Sequence, residues 1–178
     1  VMQLPIGSES NYEGLIDLMG GEETFTQKLD SLFTISSELD ENASVDISGM
    51  IGQYAHGNEP SHHVAYMYSY AGKQYKTAPI IRTINNTLYT DQPDGLSGNE
   101  DCGQMSAWYI FSSIGFYPVN PTNGLYVFGS PLFDEVKINL PQEKQFIIKT
   151  ENNSDSNIYI QSVKLNGENY NYSYKNYF

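Results

Sequence analysis

Cysteine, basic side chains and long apolar runs are all scarce in this chain of 178 residues, and each shortage excludes something. Cys102 is the sole cysteine, so no internal disulfide is possible, and its thiol reads as a small buried residue. Lys and Arg number 9 against 21 Asp and Glu, a formal net charge of −12. Nucleic acids and anionic membrane surfaces need a basic face, so neither is expected as a partner. No apolar stretch approaches the roughly 20 residues of a membrane helix. The opening "VMQLPIGSES" lacks the basic start and long apolar region of a signal peptide and does not begin with Met. The expectation is a piece of a longer polypeptide.

What remains is rich enough to fold. Hydrophobic residues make up 39% and aromatics 13%, too many for a disordered chain. The length suits one domain or two small ones. An acidic surface is compatible with neutral substrates or bound cations, and aromatics with amides suit carbohydrate, which stacks on rings and hydrogen-bonds to planar polar groups.

The first 120 or so residues carry helical patterns. "NYEGLIDLMGG" closes on Gly20-Gly21, a helix stop. "EETFTQKLDSLF" places Phe25, Leu29, Leu32 and Phe33 on one stripe, with Glu22 and Glu23 in the dipole-favoured first turn. The polar segment 35–53 reads as a loop. Helices are expected over Pro60–Ala71, Tyr75–Tyr89 and Cys102–Ile114, the last halted by Gly115 and Pro118. After "NPTNG" the runs "LYVFGS", "EVKINL", "QFIIKT", "IYIQSVKL" and "YNYSY" are short and β-branched or aromatic, and Asn166-Gly167 is a hairpin signal. The pattern predicts about five antiparallel strands in a sheet or half-sandwich against the helices. The resulting fold class is α+β, with residues 1–120 helical and 121–178 β-rich.

Two stretches concentrate chemistry. In "HGNEPSHHVAYMY", Glu59 precedes Pro60, a residue suited to a first helical position, with Asn58 alongside and His56, His62 and His63 nearby. An amide and a carboxylate here suit a hard cation such as Ca²⁺. Tandem His62-His63 is a poor zinc pattern, because consecutive helical residues point about 100° apart. Each histidine could equally be a buried, hydrogen-bonded core residue. In "GLSGNEDCGQMSAW", Asp101 and Gln104 have the spacing of a capping box. The same stretch presents Asn99, Glu100 and Asp101 at a helix start, where backbone N–H groups would keep Asp101 ionised for general-base work. Gly95, Gly98 and Gly103 leave room for a ligand near the backbone. Tyr66, Tyr68, Tyr70, Tyr109, Tyr117 and Trp108 either line a sugar pocket or pack the core.

Together "GLIDLMGG", "IGQYAHGNEPSHHVAYMYSYAG", "DGLSGNEDCGQMSAWYIFSSIGFYPVNP" and "GLYVFGSPLFDEVKI" resemble the C-terminal part of bacterial α-mannosidases of glycoside hydrolase family 92. The resemblance covers most of residues 14–139; from Leu140 onward it holds in pattern only. It implies a calcium-dependent, exo-acting α-mannosidase that inverts the anomeric carbon, with α-1,2 links the substrate of many members. The implied fold is the helical segment of an (α/α)6 toroid, which in the family follows a β-sandwich, with a small antiparallel β-sheet region after it. Asp101 matches the general base, and Asn99 a second polar group near the attacking water. Glu59 matches a calcium ligand, with Asn58 beside it. His56, His62, His63, Glu100 and Trp108 are the candidate substrate-binding groups. The implied partners are a mannose-containing glycan (an N-glycan or mannan) and a missing N-terminal domain, in a secreted, periplasmic or cell-surface protein.

The family's general acid is a Glu in a motif like Glu-Gly-x-x-Trp-Gln-Tyr, which aligns a few residues before Val1. Gln3 matches its Gln, but no Trp precedes it and Leu4 replaces Tyr, and neither Glu9 nor Glu13 takes the acid's place. The chain alone is therefore expected to be inactive. Two other readings are a calcium-dependent carbohydrate-binding module, which needs no base at Asp101, and a metal-independent inverting glycosidase or phosphorylase on the same toroid.

Overall fold

The computed structural model describes residues 11–38 and 47–170. Gln3, Leu4, Glu9 and most of the expected "YNYSY" strand lie outside the described residues. Helix α1 (Tyr12–Leu18) starts where the Asn11 carboxamide oxygen accepts the Gly14 N–H at 2.8 Å. Gly20 and Gly21 then take left-handed φ values of 92° and 94°, which end it as expected. Helix α2 (Glu22–Thr34) buries Phe25, Leu29 and Leu32, with Phe33 partly covered.

The segment read as a loop contains a short hairpin, β1 (Met50–Ile51) paired antiparallel with β2 (Tyr54–Ala55). Its turn leans on the end of α2. Gln53 N–H donates to the Leu32 carbonyl at 2.7 Å, and a Cβ on Gly52 would come within 2.5 Å of the Phe33 carbonyl carbon. Only glycine fits there, at φ 59°.

The single helix expected over Pro60–Ala71 is three pieces: 3-10 turns at Glu59–Ser61 and Val64–Tyr66, then one α turn, α3 (Met67–Tyr70). The Ser61 hydroxyl bonds to the Ala55 and Asn58 carbonyls at 2.6 and 2.7 Å, competing with helical bonding. Every residue from His62 to Ser69 is buried, so packing from all sides, not an amphipathic stripe, sets this path.

Helix α4 (Gln74–Thr87) and helix α5 (Gln104–Ile114) complete the helical part. Helix α5 starts two residues later than expected and ends at Gly115, at φ 112°. Pro118 does not follow the helix as a breaker but lies in β3 (Phe116–Asn120). There the register to β4 (Leu125–Phe128) shifts between Tyr117 and Asn120. The β pattern thus starts before residue 121.

Strands β5 (Glu135–Asn139) and β6 (Gln145–Lys149) pair along all five residues, and β7 (Val163–Leu165) pairs with β8 (Glu168–Tyr170). Asn166 and Gly167, at φ 52° and 87°, make the turn the sequence announces. The expected five-stranded sheet is instead a set of two-stranded ladders, and Ile158–Ser162 is not a strand. The fold is mixed: helices with small antiparallel pairs. Its core lies in the helical part, around Phe25, Tyr54, Tyr66, Met67, Ile84 and Trp108. The buried Arg82 of α4 ties that core to the later segments through Ser130 Oγ at 2.9 Å and Asn153 Oδ1 at 2.6 Å.

Candidate functional site

Three glycines bring the two chemistry-bearing stretches together. A Cβ on Gly98 would meet the Gly57 carbonyl oxygen at 2.7 Å, and one on Gly49 would meet Ser97 Cβ at 2.7 Å. The backbones at 57 and 98 are therefore in direct contact, and Asn58 and Asn99 continue from that seam. Both asparagines are exposed.

Behind the seam lies a closed polar core. His56 is fully buried between two phenols: Tyr54 Oη at 2.9 Å from Nδ1 and Tyr89 Oη at 2.6 Å from Nε2. Tyr89 donates onward to the Met105 carbonyl at 3.1 Å, so its oxygen accepts from Nε2–H and Nδ1 accepts from Tyr54. The imidazole of His62 stacks on that of His56 with centroids 4.7 Å apart. Its Nε2–H donates to the His56 carbonyl at 3.0 Å, and Nδ1 accepts from the Gln104 amide at 3.2 Å. Burial lowers the pKa of His56 to about 3 and that of His62 to about 4, so both are neutral at ordinary pH. Trp108 is fully buried, edge-on to His56, and its indole N–H donates to the His62 carbonyl at 3.1 Å.

These bonds correct two expectations. His56 and Trp108 have neither exposed surface nor an idle polar atom with which to hold a sugar, whereas His62, with both ring nitrogens engaged, still borders the cleft. They shape the wall behind a site.

In front of this wall is a cleft of about 240 Å³ lined by Glu59, His62, His63, Gln104, Phe111 and Tyr117, with prolines and small residues completing it. Glu59 Oε1 is buried with no hydrogen-bond partner. A carboxylate oxygen kept from water without a donor is costly, and a hard cation is a fitting companion for it. Among the described residues, no three His, Cys, Asp or Glu side chains gather as a metal site. The chain thus offers one anchoring carboxylate rather than a cage. Gln104, which the sequence marks only as a capping partner, has an amide that bridges His62 and the Tyr117 hydroxyl at 3.2 Å each. No spacing rule marks it as part of a cleft.

The other stretch differs from its expected form. Asp101 is not the cap of α5: that position is Gly103, which makes no side-chain capping bond. Asp101, Cys102 and Gly103 take consecutive left-handed φ values of 43°, 58° and 89°. Such a conformation costs on the order of 1–3 kcal/mol for each non-glycine residue. Glu100 caps the helix instead. Its Oε1 accepts the Ser106 N–H at 3.0 Å and its Oε2 accepts the Ser106 hydroxyl at 2.8 Å. Each oxygen of Glu100 thus accepts one bond from the helix start, and the backbone N–H expected to go to Asp101 goes to Glu100. Asp101 and Cys102 are exposed, the latter contrary to its reading as a buried thiol. Asn58, Asn99, Glu100 and Asp101 do not line the cleft that holds Glu59.

A family model described as the glycosyl hydrolase family 92 catalytic domain matches residues 3–177. A family GH92 α-mannosidase of Bacteroides thetaiotaomicron, solved in complex with mannoimidazole, is 43% identical with a TM-score of 0.86, over 93% of this chain and 22% of that one. The family GH92 inverting mannosidase of Bacteroides thetaiotaomicron VPI-5482 is 40% identical with a TM-score of 0.75, over 91% of this chain and 23% of that one. A curated relative, an uncharacterized secreted glycosidase of Arthroderma benhamiae, is 32% identical over 159 residues, which are 88% of this chain and 18% of its own length. The chain spans about a fifth of the length of these relatives. No helix among the described residues is long and apolar enough to cross a membrane.

Proposed function

This chain belongs to glycosyl hydrolase family 92, and on that premise we propose that it is the C-terminal portion of an inverting, exo-acting α-mannosidase acting on α-1,2 links. The observation that carries the reading is Glu59: a buried, partnerless carboxylate oxygen on a cleft that also presents Phe111 and Tyr117 to a sugar face. In this proposal Glu59 anchors Ca²⁺, with Asn58 alongside, and the remaining oxygens come from water, sugar hydroxyls or polypeptide beyond this chain. Bound there, the ion would supply positive charge that grips neighbouring hydroxyls of mannose. His63 and Gln104 would contribute polar contacts from the cleft wall. Asp101, exposed and beside the seam, would take a proton from the water that attacks the anomeric carbon, and Asn99 would help orient that water. The leaving oxygen needs a proton from a carboxylic acid on the opposite face, about 6.5–9.5 Å from the base, and that acid lies outside this chain.

The helices α1–α5 would then be a segment of an (α/α)6 toroid spanning residues 1–120, with 121–178 as a β-rich region following it. An N-terminal portion of the same enzyme is the partner, and an N-glycan or mannan the substrate. Secretion to the periplasm or cell surface belongs to the same reading, in keeping with the Arthroderma benhamiae relative's name. The test is turnover of α-1,2-mannobiose by the full-length enzyme and by this chain. The full-length enzyme should lose activity in a chelator and recover it with Ca²⁺, and Glu59→Gln should raise the Ca²⁺ needed. The isolated chain should release no mannose. Hydrolysis by the isolated chain, or full activity of the enzyme in chelator, would contradict the proposal.

A further inference from the structure

The exposed Asp101 carboxylate makes no hydrogen bond among the described residues, so only the backbone fixes where its Cα sits and which way its Cα–Cβ bond leaves the chain. That backbone is the left-handed turn Asp101–Gly103, where φ values of 43° and 58° are costly for two consecutive non-glycine residues. The turn is closed at its base by one residue on each side. From Glu100, the backbone carbonyl accepts the Met105 N–H at 3.3 Å and the two carboxylate oxygens accept the Ser106 N–H and hydroxyl. On the far side, the Asp101 carbonyl accepts the Gln104 N–H at 3.2 Å.

We propose that Glu100 and Ser106 form a positioning pair: their two-point bond holds the left-handed turn closed and so aims the Asp101 carboxylate, and Glu100 itself does not touch the sugar. This rests on the reading of Asp101 as the general base. Charge-assisted bonds of this kind are roughly twice as strong as neutral ones, which suits a contact that must oppose backbone strain. The strain lies within two residues of the proposed base, where a shift on the order of 1 Å can cost 10²-fold in rate.

The experiment uses the full-length enzyme with Glu100→Ala, Ser106→Ala and Ser106→Thr, reading kcat and KM on α-1,2-mannobiose together with hydrogen exchange of peptides spanning 98–108. Glu100→Ala and Ser106→Ala should lower kcat on the order of 10- to 100-fold with KM held within about twofold, because the displaced group is the base and not a sugar contact. The amides at the start of α5 should exchange about tenfold faster in both, the equivalent of one charge-assisted bond lost. Ser106→Thr, which keeps the hydroxyl, should restore both. A raised KM with kcat retained would make Glu100 a sugar ligand and overturn the proposal, as would unchanged exchange at these amides. Ser106→Ala guards against a Glu100 variant that does not fold. If Asp101→Asn keeps full turnover, it is the base assignment that fails, while the clamp is judged by the exchange alone.

Discussion

Two helix starts carry the chemistry-bearing residues, and they are built in opposite ways. The start at Asn58–His62 is backed by a buried wall in which nearly every polar atom is bonded and both imidazoles are held neutral. The start at Asn99–Gln104 is a left-handed turn in which Asp101 is exposed and makes no hydrogen bond among the described residues, while Glu100 accepts two from Ser106. Burial closes off the first, with Glu59 Oε1 buried and without a partner. In the proposed mechanism the exposed second start takes the proton, and its strained backbone depends on a neighbour for its shape. Substitutions should therefore cost stability in the first and activity in the second.

The largest stability effect is expected at Trp108. Trp108→Ala opens a cavity where indole packs on His56 and removes the donor to the His62 carbonyl, for a loss of about 3–5 kcal/mol. Urea unfolding followed by far-ultraviolet circular dichroism reads this directly. A loss under about 1 kcal/mol would mean that the wall does not hold the fold.

Next comes acid sensitivity. His56 and His62 are depressed to about 3 and about 4 by burial, with like charge between neighbouring imidazoles adding to it. Unfolded, both titrate near their ordinary value of about 6.5. Below that value the unfolded state binds more protons, so stability is fully present above about pH 6.5 and falls as pH drops toward 4 and 3. Denaturation midpoints measured from pH 7 to pH 4 should decline, and His56→Gln should flatten the slope. A midpoint that rises on acidification would contradict the neutral, enclosed pair.

At the seam, Gly98→Ala places a methyl 2.7 Å from the Gly57 carbonyl oxygen at a φ of 106°, and should cost about 1–3 kcal/mol. Thermal melts check this. The smallest effect should be at the exposed turn: Asp101→Asn, an exchange the left-handed region tolerates, should stay within about 0.5 kcal/mol of the parent. Equal losses at Gly98 and Asp101 would mean that the close-packed seam and the exposed turn are not held differently.

What was legible in the sequence follows from where local chemistry decides. The stripe of Phe25, Leu29 and Leu32, the stop at Gly20-Gly21, the end of α5 at Gly115 and the Asn166-Gly167 hairpin are all set by side chains within a few residues. Periodicity failed at 59–70, where burial on all sides replaces the one-sided stripe that a helix reading needs. It failed again at α5. The capping spacing of Asp101 and Gln104 is real, but the bonds from Glu100 to Ser106 and the left-handed path between them outcompete it. Of the two stretches the sequence singles out, the first supplies Glu59, His62 and His63 to the cleft, while the second supplies only Gln104 and Ala107. Which histidines face inward, and that Glu59 alone keeps a buried unbonded oxygen among the acids of these stretches, depends on contacts between residues some forty apart in sequence.

The most direct measurement is proton magnetic resonance of the mannose first released from α-1,2-mannobiose by the full-length enzyme, with Asp101→Asn alongside. Inversion with Asp101 as base gives the β anomer before mutarotation, and Asp101→Asn lowers its rate of appearance by about 10²–10⁴. Release of the α anomer first, or turnover untouched by Asp101→Asn, would contradict the assignment of this turn as the catalytic one.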